Sequence, residues 1–473
     1  MAGRFLSLFG PLSRFMPEVS SPIRKVSFNE KLFWTAMALV VYLVMSEISL
    51  FQVTSGGYEN EALRIIFASN QGTLTTLGIG PIVTGGLILQ LLIGSTIIQA
   101  DLNNPEDRSL FTAATKVFAI LLTAVQAVAY LLGGMFGELT GEVMVVIFVQ
   151  LLAAGIILML LDEMLQKGWG IGSGISLFIL AGVAQRIMLD SFSPITGGLG
   201  DGKMHGAFLA MFETISRGDS WTEIFVRTVD GSIISSPGML GFITTVAVFI
   251  IVIYLEGVRV ELPISHANYR GFRGKYPIKL LYVSNLPVIF ASALFANVLV
   301  FAQLLNSQFG GDNFWVNLIG TFGGDKGTEL IGGLAYYVTA PNGLPDVVAN
   351  PFRALIYVGV MVGFAIIFSL TWLEVGGLGP STVEKQLVDS GMQIPGFRRS
   401  GKSIEMILSR YIPVVTVLGG AIIGLVASIA GFFGVFGTGM GVLLAVGILY
   451  QYYQLLVQEQ VAEMYPALGK VLE

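Results

Sequence analysis

Ten apolar stretches of about twenty residues alternate with polar segments along the chain: 32–53, 74–98, 112–133, 143–161, 171–189, 238–256, 281–305, 352–373, 411–431 and 438–457. Crossing the hydrocarbon core of a bilayer takes a helix of roughly 20 apolar residues, so each stretch is a candidate span. The second departs from the rest. Between Thr73 and Ile98 it carries no charge, yet Gly78, Gly80, Pro81, Gly85 and Gly86 interrupt it, and Thr75, Thr76, Thr84 and Gln90 lie within it. Just before it stands a half-length segment, Glu61 to Ser69, too short and too charged to span. A span broken by Pro and Gly and preceded by a short helix is expected where backbone lines a cavity rather than lipid. A kinked helix packed through small residues is the simpler alternative.

Near the N-terminus, Arg4 and Arg14 flank Phe5, Leu8, Phe9, Leu12 and Phe15 on one helical face, and Pro17 and Pro22 end the pattern. This predicts an amphipathic helix on the membrane surface rather than a cleaved signal. Ten spans return both termini to one side. Of the 26 Lys and Arg residues, only Arg64, Arg186, Lys203, Arg217, Arg227, Lys326 and Arg353 fall on the side opposite the termini. Positive charge accumulates on the cytoplasmic side, which predicts cytoplasmic termini. The long outer loops 190–237 and 306–351 are rich in Gly, Asp and Ser. The first separates an N-terminal half, 1–189, from a C-terminal half, 238–473, and is expected to act as a hinge. Five spans per half is an odd number, so any structural repeat between them is inverted.

Composition narrows the chemistry. The chain is 54% hydrophobic and 12% charged, against about a quarter charged in soluble domains; its 59 glycines suit membrane helices. With no cysteine, there is no disulfide, thiolate metal site or cysteine nucleophile. His205 and His266 fall in predicted loops, so no metal centre or cofactor is expected. The ionisable residues near spans (Glu47, Lys116, Arg186, Glu256, Arg353 and Glu374) sit at their ends, whereas the interior polar groups Thr84, Gln90, Gln126, Gln150, Asn285, Asn297 and Gln303 are uncharged. That argues against a proton-coupled pump, which needs buried carboxylates, Lys or His. Gly170-Ile171-Gly172-Ser173-Gly174 opens a span and follows no strand, so it is no nucleotide loop. No catalytic triad or carboxylate pair stands out, and no enzyme is expected.

The two long inner loops, about 257–280 and 374–410, carry Arg259, Arg270, Arg273, Lys275 and Lys279, and Arg398, Arg399, Lys402 and Arg410. Such residues serve topology and anionic headgroups. Loops of this length, with Gly and Tyr among the arginines, also suit docking onto nucleic acid phosphates or an acidic protein.

Several long motifs carry a family resemblance. Gly72-Thr73-Leu74, then Leu77-Gly78-Ile79-Gly80-Pro81-Ile82-Val83-Thr84, then Gln90-Leu91-Leu92 resemble the second span of SecY, the protein-conducting channel. GIGSGISLFILAGVAQ at 170–185, RVELPISHANYRGFRGKYPIKLLYVSNLPVIFASALFAN at 259–297 and GFRRSGKSIEMILSRYIP at 396–413 are similar to later parts of the same family. The resemblance spans almost the whole chain in order. Its GIGPIVT wording is nearer the archaeal and eukaryotic branch than the bacterial one, and the outer loops do not match.

The resemblance implies an all-α polytopic membrane protein, ten transmembrane helices in two inverted five-helix halves around a central pore. Its activity would be to translocate unfolded secretory chains and release hydrophobic segments sideways into lipid. It places an outer plug at about 60–70, including Glu61, Leu63, Arg64, Ile65, Ile66 and Phe67. It assigns a pore ring to Ile79, Val83, Ile175, Ile179, Ile289 and Leu444, which taken alone read as ordinary helix packing. The lateral exit lies between spans two and three and spans seven and eight, with a polar cluster at Thr84, Gln126 and Asn297. Arg270, Arg273, Lys275, Arg398, Arg399, Lys402 and Arg410 become a ribosome-docking surface in the cell membrane's cytoplasmic face. The implied partners are the SecE (gamma) subunit, a small beta-type subunit, the ribosome with its nascent chain, signal peptides and membrane lipids. A solute carrier with broken helices, or an insertase or scaffold without a pore, are the other readings the residues leave open.

Overall fold

The computed structural model describes residues 11, 16–53, 70–94, 98, 104–133, 136–137, 139–195, 201–229, 232–234, 236–266, 273–283, 286–309, 313–323, 329–341, 343–390, 392–393 and 401–464. Its architecture is mostly helical. In chain order the helices are α1 (Phe28–Glu47), α2 (Gly80–Gly94), α3 (Pro105–Leu132), α4 (Gly141–Met164), α5 (Gly174–Phe192), α6 (Ala207–Arg217), α7 (Thr222–Phe225), α8 (Met239–Gly257), α9 (Leu286–Phe309), α10 (Phe314–Ile319), α11 (Leu334–Val338), α12 (Leu344–Ala349), α13 (Pro351–Val375), α14 (Pro380–Asp389), α15 (Gly401–Phe432) and α16 (Gly439–Met464). Among the described residues, nine are long and apolar enough to cross a membrane, and α2 is a shorter apolar tenth.

The ten apolar stretches therefore each carry a helix, with bounds that differ from the hydropathy windows. Helix α3 starts at Pro105 rather than near 112, because Asn104 caps it by accepting from the Glu106 amide at 3.1 Å and Pro105 opens the first turn. Helix α15 starts at Gly401 and α16 continues to Met464. These polar extensions are helical for capping and amphipathic reasons that an apolar window does not detect. The second span shrinks instead. Its 15 helical residues are about 22 Å long at 1.5 Å per residue, short of the roughly 30 Å hydrocarbon core.

The two long basic loops, about 257–280 and 374–410, hold more structure than their composition suggests. Strands β3 (Arg259–His266) and β4 (Arg273–Lys279) form a hairpin, so His266 lies in a strand rather than a loop. Strand β7 (Met392–Gln393), from the other inner loop, pairs with β3 through Ser265–Gln393 and His266–Met392. The two basic loops thus share one three-stranded sheet, order β4-β3-β7. Beneath it a separate apolar core gathers Leu262 and Ile278 with Leu373, Val383, Leu387, Leu408 and Ile412 of α13, α14 and α15. Short hairpins β1 (Thr228–Val229) with β2 (Ser232–Ile233) and β5 (Thr321–Gly323) with β6 (Glu329–Gly332) lie in the long loops 190–237 and 306–351.

The last helix ties the ends of the chain together. The Tyr452 hydroxyl on α16 donates to the Ser173 carbonyl at 2.8 Å, and Lys31 of α1 pairs with Glu459 at 2.6 Å.

Candidate functional site

The stretch before α2 shows how irregular backbone survives among apolar helices. Residues 70–79 form turns, with Gly72 and Gly78 at positive φ. Side-chain hydroxyls replace the missing helical ladder. Thr73 Oγ1 donates to the Asn70 carbonyl at 2.6 Å and Thr76 Oγ1 to the Thr73 carbonyl at 2.5 Å, while the Thr75 amide donates to Thr73 Oγ1. Strand-like bonds to the end of α1, from the Leu50 amide to the Gly72 carbonyl and from the Leu74 amide to the Ile48 carbonyl, satisfy more of it. Unpaired backbone in hydrocarbon costs several kcal/mol per group, so such a break persists only where protein supplies partners.

The break delivers Ile79 and Val83, one helical turn apart, to the largest apolar cluster of the described residues. They share one large apolar cluster with Ile175 and Ile179 of α5, Ile289 of α9 and Leu444 of α16. Ile79, Ile179 and Leu444 are fully buried; Val83, Ile175 and Ile289 are partly buried against them. A cavity of about 510 Å³ opens beside this cluster. Ser292, Phe295 and Leu299 of α9 and Met440 of α16 line it, and Arg186 and Asp190 of α5 stand among its polar residues.

The polar trio predicted from the sequence is brought together between three helices. Gln126 of α3 donates from Nε2 to Asn297 Oδ1 of α9 at 3.4 Å. Asn297 Nδ2 reaches Thr84 Oγ1 of α2 at 3.5 Å and its own helix at the Ala293 carbonyl, 2.8 Å. The two inter-helix contacts are at the long end of hydrogen bonding, so they join the helices without locking them. Gly85 lets α2 lie close to α3: a Cβ there would come 3.1 Å from the Ala119 amide nitrogen. Further along α2, Gln90 faces a small apolar space bounded by Phe290 of α9 and Phe368, Thr371 and Trp372 of α13. Its Oε1 is buried without a hydrogen-bond partner.

The family model of SecY matches residues 73–453. The chain belongs to the SecY family. It is 42% identical over 473 residues, 97% of each chain, to the protein translocase subunit SecY of Pyrococcus furiosus. Among solved structures it is similar to one described as a protein conducting channel, with TM-score 0.81 and 39% identity over 97% of this chain and 99% of that one. It is also similar to Sec61 in the canine ribosome–channel complex from the endoplasmic reticulum, with TM-score 0.79 and 38% identity over 97% of this chain and 99% of that one.

The family's other expected residues are distributed unevenly over the described structure. The plug positions Glu61, Leu63, Arg64, Ile65, Ile66 and Phe67 lie outside the described residues, as do Arg270, Arg398 and Arg399 of the inner loops. Arg273 begins β4 and Lys402 stands in the first turn of α15. Arg410 is exposed on α15. Lys275 is exposed too, but it pairs with Glu261 across the β3–β4 hairpin at 2.5 Å. That hydrogen bond and the lysine's charge hold the Glu261 carboxyl below the usual carboxylate range.

Two features escaped the sequence reading. Asp162, near the end of α4, accepts from the Ile175 amide and the Ser173 hydroxyl, both at 3.1 Å, and so caps α5 directly at a residue of the apolar cluster. Gly174 makes this approach possible, since a Cβ there would lie 2.7 Å from Asp162 Cα. An Asp at the end of an apolar span followed by a glycine-rich turn was the available signal. The second is an ion-pair chain at the same end of α4. Lys116 of α3 and Lys167 both reach Glu163, at 2.5 and 2.9 Å, and Lys167 continues to Glu18 at 2.5 Å. Lys167 also donates to the Val19 carbonyl and Trp169 to the Ser20 carbonyl, which pins the N-terminal segment there.

Proposed function

We propose that the chain is the channel subunit of a protein translocase, passing unfolded secretory chains across the membrane and releasing hydrophobic segments sideways into lipid. Membership of the SecY family carries this reading, and the residue roles follow from the resemblance together with the geometry. The proposed ring is Ile79, Val83, Ile175, Ile179, Ile289 and Leu444. Aliphatic side chains offer water and ions no hydrogen bonds, so a narrow ring dewets and seals, and they present no specific chemistry to a passing chain. Thr84, Gln126 and Asn297 are the proposed catch of a lateral gate, where α2 and α3 meet α9. Residues 60–70 are the proposed plug. The halves 1–189 and 238–473 would move about the 190–237 segment.

Both termini are proposed to be cytoplasmic, on the charge distribution of the loops. That puts the β4-β3-β7 sheet and the exposed Arg410 in the cytoplasm as a surface for the ribosome, whose RNA phosphates suit its basic residues. The further partners of this reading are the SecE (gamma) subunit, a beta-type subunit, signal peptides and lipid. Single-channel currents test it. Exchanging the ring residues for glycine gives ion conductance where the parent chain is tight; if no variant conducts, the ring is not a pore seal.

A further inference from the structure

The segment between α5 and α8 buries two cations and exposes several large apolar side chains. Its interior is ionic: Lys203 and Arg227 are only 4% and 3% exposed. Lys203 Nζ reaches Thr214 Oγ1 at 3.0 Å, Glu223 at 2.7 Å and Asp219 at 2.8 Å. Arg227 pairs with Asp201 and also donates to the Met204 carbonyl at 3.0 Å, while Glu213 accepts from the Met204 amide at 2.9 Å. Part of its exterior is apolar, beside the exposed Ser216, Arg217, Asp219 and Ser220. Phe212 and Ile215, one turn apart on α6, are 63% and 56% exposed, and Trp221 is 78% exposed. Helix α6 turns Ala207, Ala210 and Thr214 inward and these large side chains outward. A unit folded for water would reverse that arrangement, since large apolar groups leave water and charged groups keep it.

The apolar exterior continues into the flanks of two membrane helices. Phe208 of α6 stacks on Phe192 at the end of α5, with centroids 5.2 Å apart, and meets Phe242 in the first turn of α8 edge-on at 4.9 Å. Met188 and Phe192 on α5, and Ile243 and Ile250 on α8, are themselves exposed on the spans. The aromatic column therefore sets α6 at the level where these two spans end, next to the surface they show to lipid.

We infer that the outward face of α6, with Trp221, is a lipid-binding surface that rests in the headgroup region of the outer leaflet. Exposed apolar surface contiguous with a membrane-facing flank is covered by lipid at no further conformational cost. An indole there is also at its preferred depth, with its ring buried and its N–H wet. The ion pairs of the buried Lys203 and Arg227 hold the unit in shape while its apolar side faces the bilayer.

The absence of cysteine makes the test direct. Phe212→Cys, Ile215→Cys and Trp221→Cys are spin-labelled singly in the full chain, assembled with its small subunits, one channel per phospholipid nanodisc. Ile250→Cys and Lys385→Cys supply the lipid-facing and water-facing references. The three labels are expected to collide freely with oxygen and poorly with a water-soluble nickel chelate, at the depth of roughly 5–10 Å typical of interfacial helices. Nickel collisions as frequent as at position 385 mean that the face is in water and overturn the inference. Labels shielded from both reagents mean that protein covers it, and overturn it equally. Thermal unfolding of each labelled complex verifies that the unit is intact; a site whose label destabilises it is replaced by its neighbour Leu209→Cys or Ser216→Cys, read on the same scale.

Discussion

Gln126 and Asn297 are 171 residues apart in sequence, yet the amide of one donates to the amide of the other at 3.4 Å between α3 and α9. Interhelical polar contacts in membrane proteins are worth about 0.6 kcal/mol on average. Asn297→Leu removes the contacts to Gln126 and Thr84 together, so we expect the closed arrangement to weaken by about 1 kcal/mol. Less hydrophobic segments should then leave sideways. Membrane insertion of test segments with graded Leu/Ala content reads the threshold, while secretion of soluble clients stays near normal. An unmoved threshold would mean that the trio only packs.

Gln90 predicts the opposite sign. Its Oε1 is buried without a partner against α9 and α13, and an unsatisfied buried acceptor costs roughly 1–3 kcal/mol. Gln90→Leu should stabilise the closed seam and raise the hydrophobicity needed for insertion, in the same assay. A shift in the same direction as Asn297→Leu would refute this assignment.

Asp162 is expected to hold the start of α5 in register. Asp162→Ala removes the cap on the Ile175 amide, at a cost of about 1 kcal/mol, and displaces a residue of the proposed ring. Lower thermal stability should be accompanied by a higher ion leak. Gly174→Ala should do the same through its clash with the α4 backbone. Loss of stability with an unchanged leak would show that the cap has no bearing on the seal.

The inner sheet gives a salt-dependent prediction. Ribosome affinity should fall by roughly 0.7–0.9 log units per log unit of salt for each phosphate contacted. Arg410→Glu, and Arg398→Glu with Arg399→Glu, should weaken binding and flatten that slope. Glu261→Gln should do the reverse, because it frees Lys275 from its partner. Affinities and slopes that stay fixed in all three would exclude this surface.

Acid should detach the N-terminal segment. A hydrogen bond from Lys167, helped by the charges of Lys116 and Lys167, lowers the Glu18 carboxyl below its ordinary 4.5. A lowered carboxyl binds protons less readily folded than unfolded, so the anchoring is complete above pH 4.5 and fades as pH falls through the lower folded value. Hydrogen exchange at residues 16–20 should rise in that window, and Lys167→Met should reproduce the rise at neutral pH. Protection that is insensitive to both would place the anchor elsewhere.

Hydropathy made the ten helices legible because a bilayer imposes one length and one polarity on every span. It misjudged the ends of α3 and α15, where capping and amphipathic turns carry helices beyond the apolar windows, and it overestimated α2, whose first residues are held by Thr73, Thr75 and Thr76 rather than by a helical ladder. Polarity marks Thr84, Gln126 and Asn297 together with Gln90, Gln150, Asn285 and Gln303, and the family resemblance sets the three apart. The ring could not, since Ile179 and Leu444 differ from any other packed aliphatic residue only in which helices they join. Asp162 and the pairing of β7 with β3 depend on contacts between segments far apart in sequence, to which local pattern is blind.

That pairing has a mechanical consequence. Strands β3 and β4 hang between α8 and α9, β7 lies between α14 and α15, and their shared core includes side chains of α13, α14 and α15. All of these helices belong to the second half of the chain. A partner that grips the sheet therefore holds one half as a stator, and traction from a bound machine is spread over four spanning helices instead of bending a single loop. If the halves move as proposed, the first half, tethered to that frame by contacts such as Lys31–Glu459, would be the part that swings.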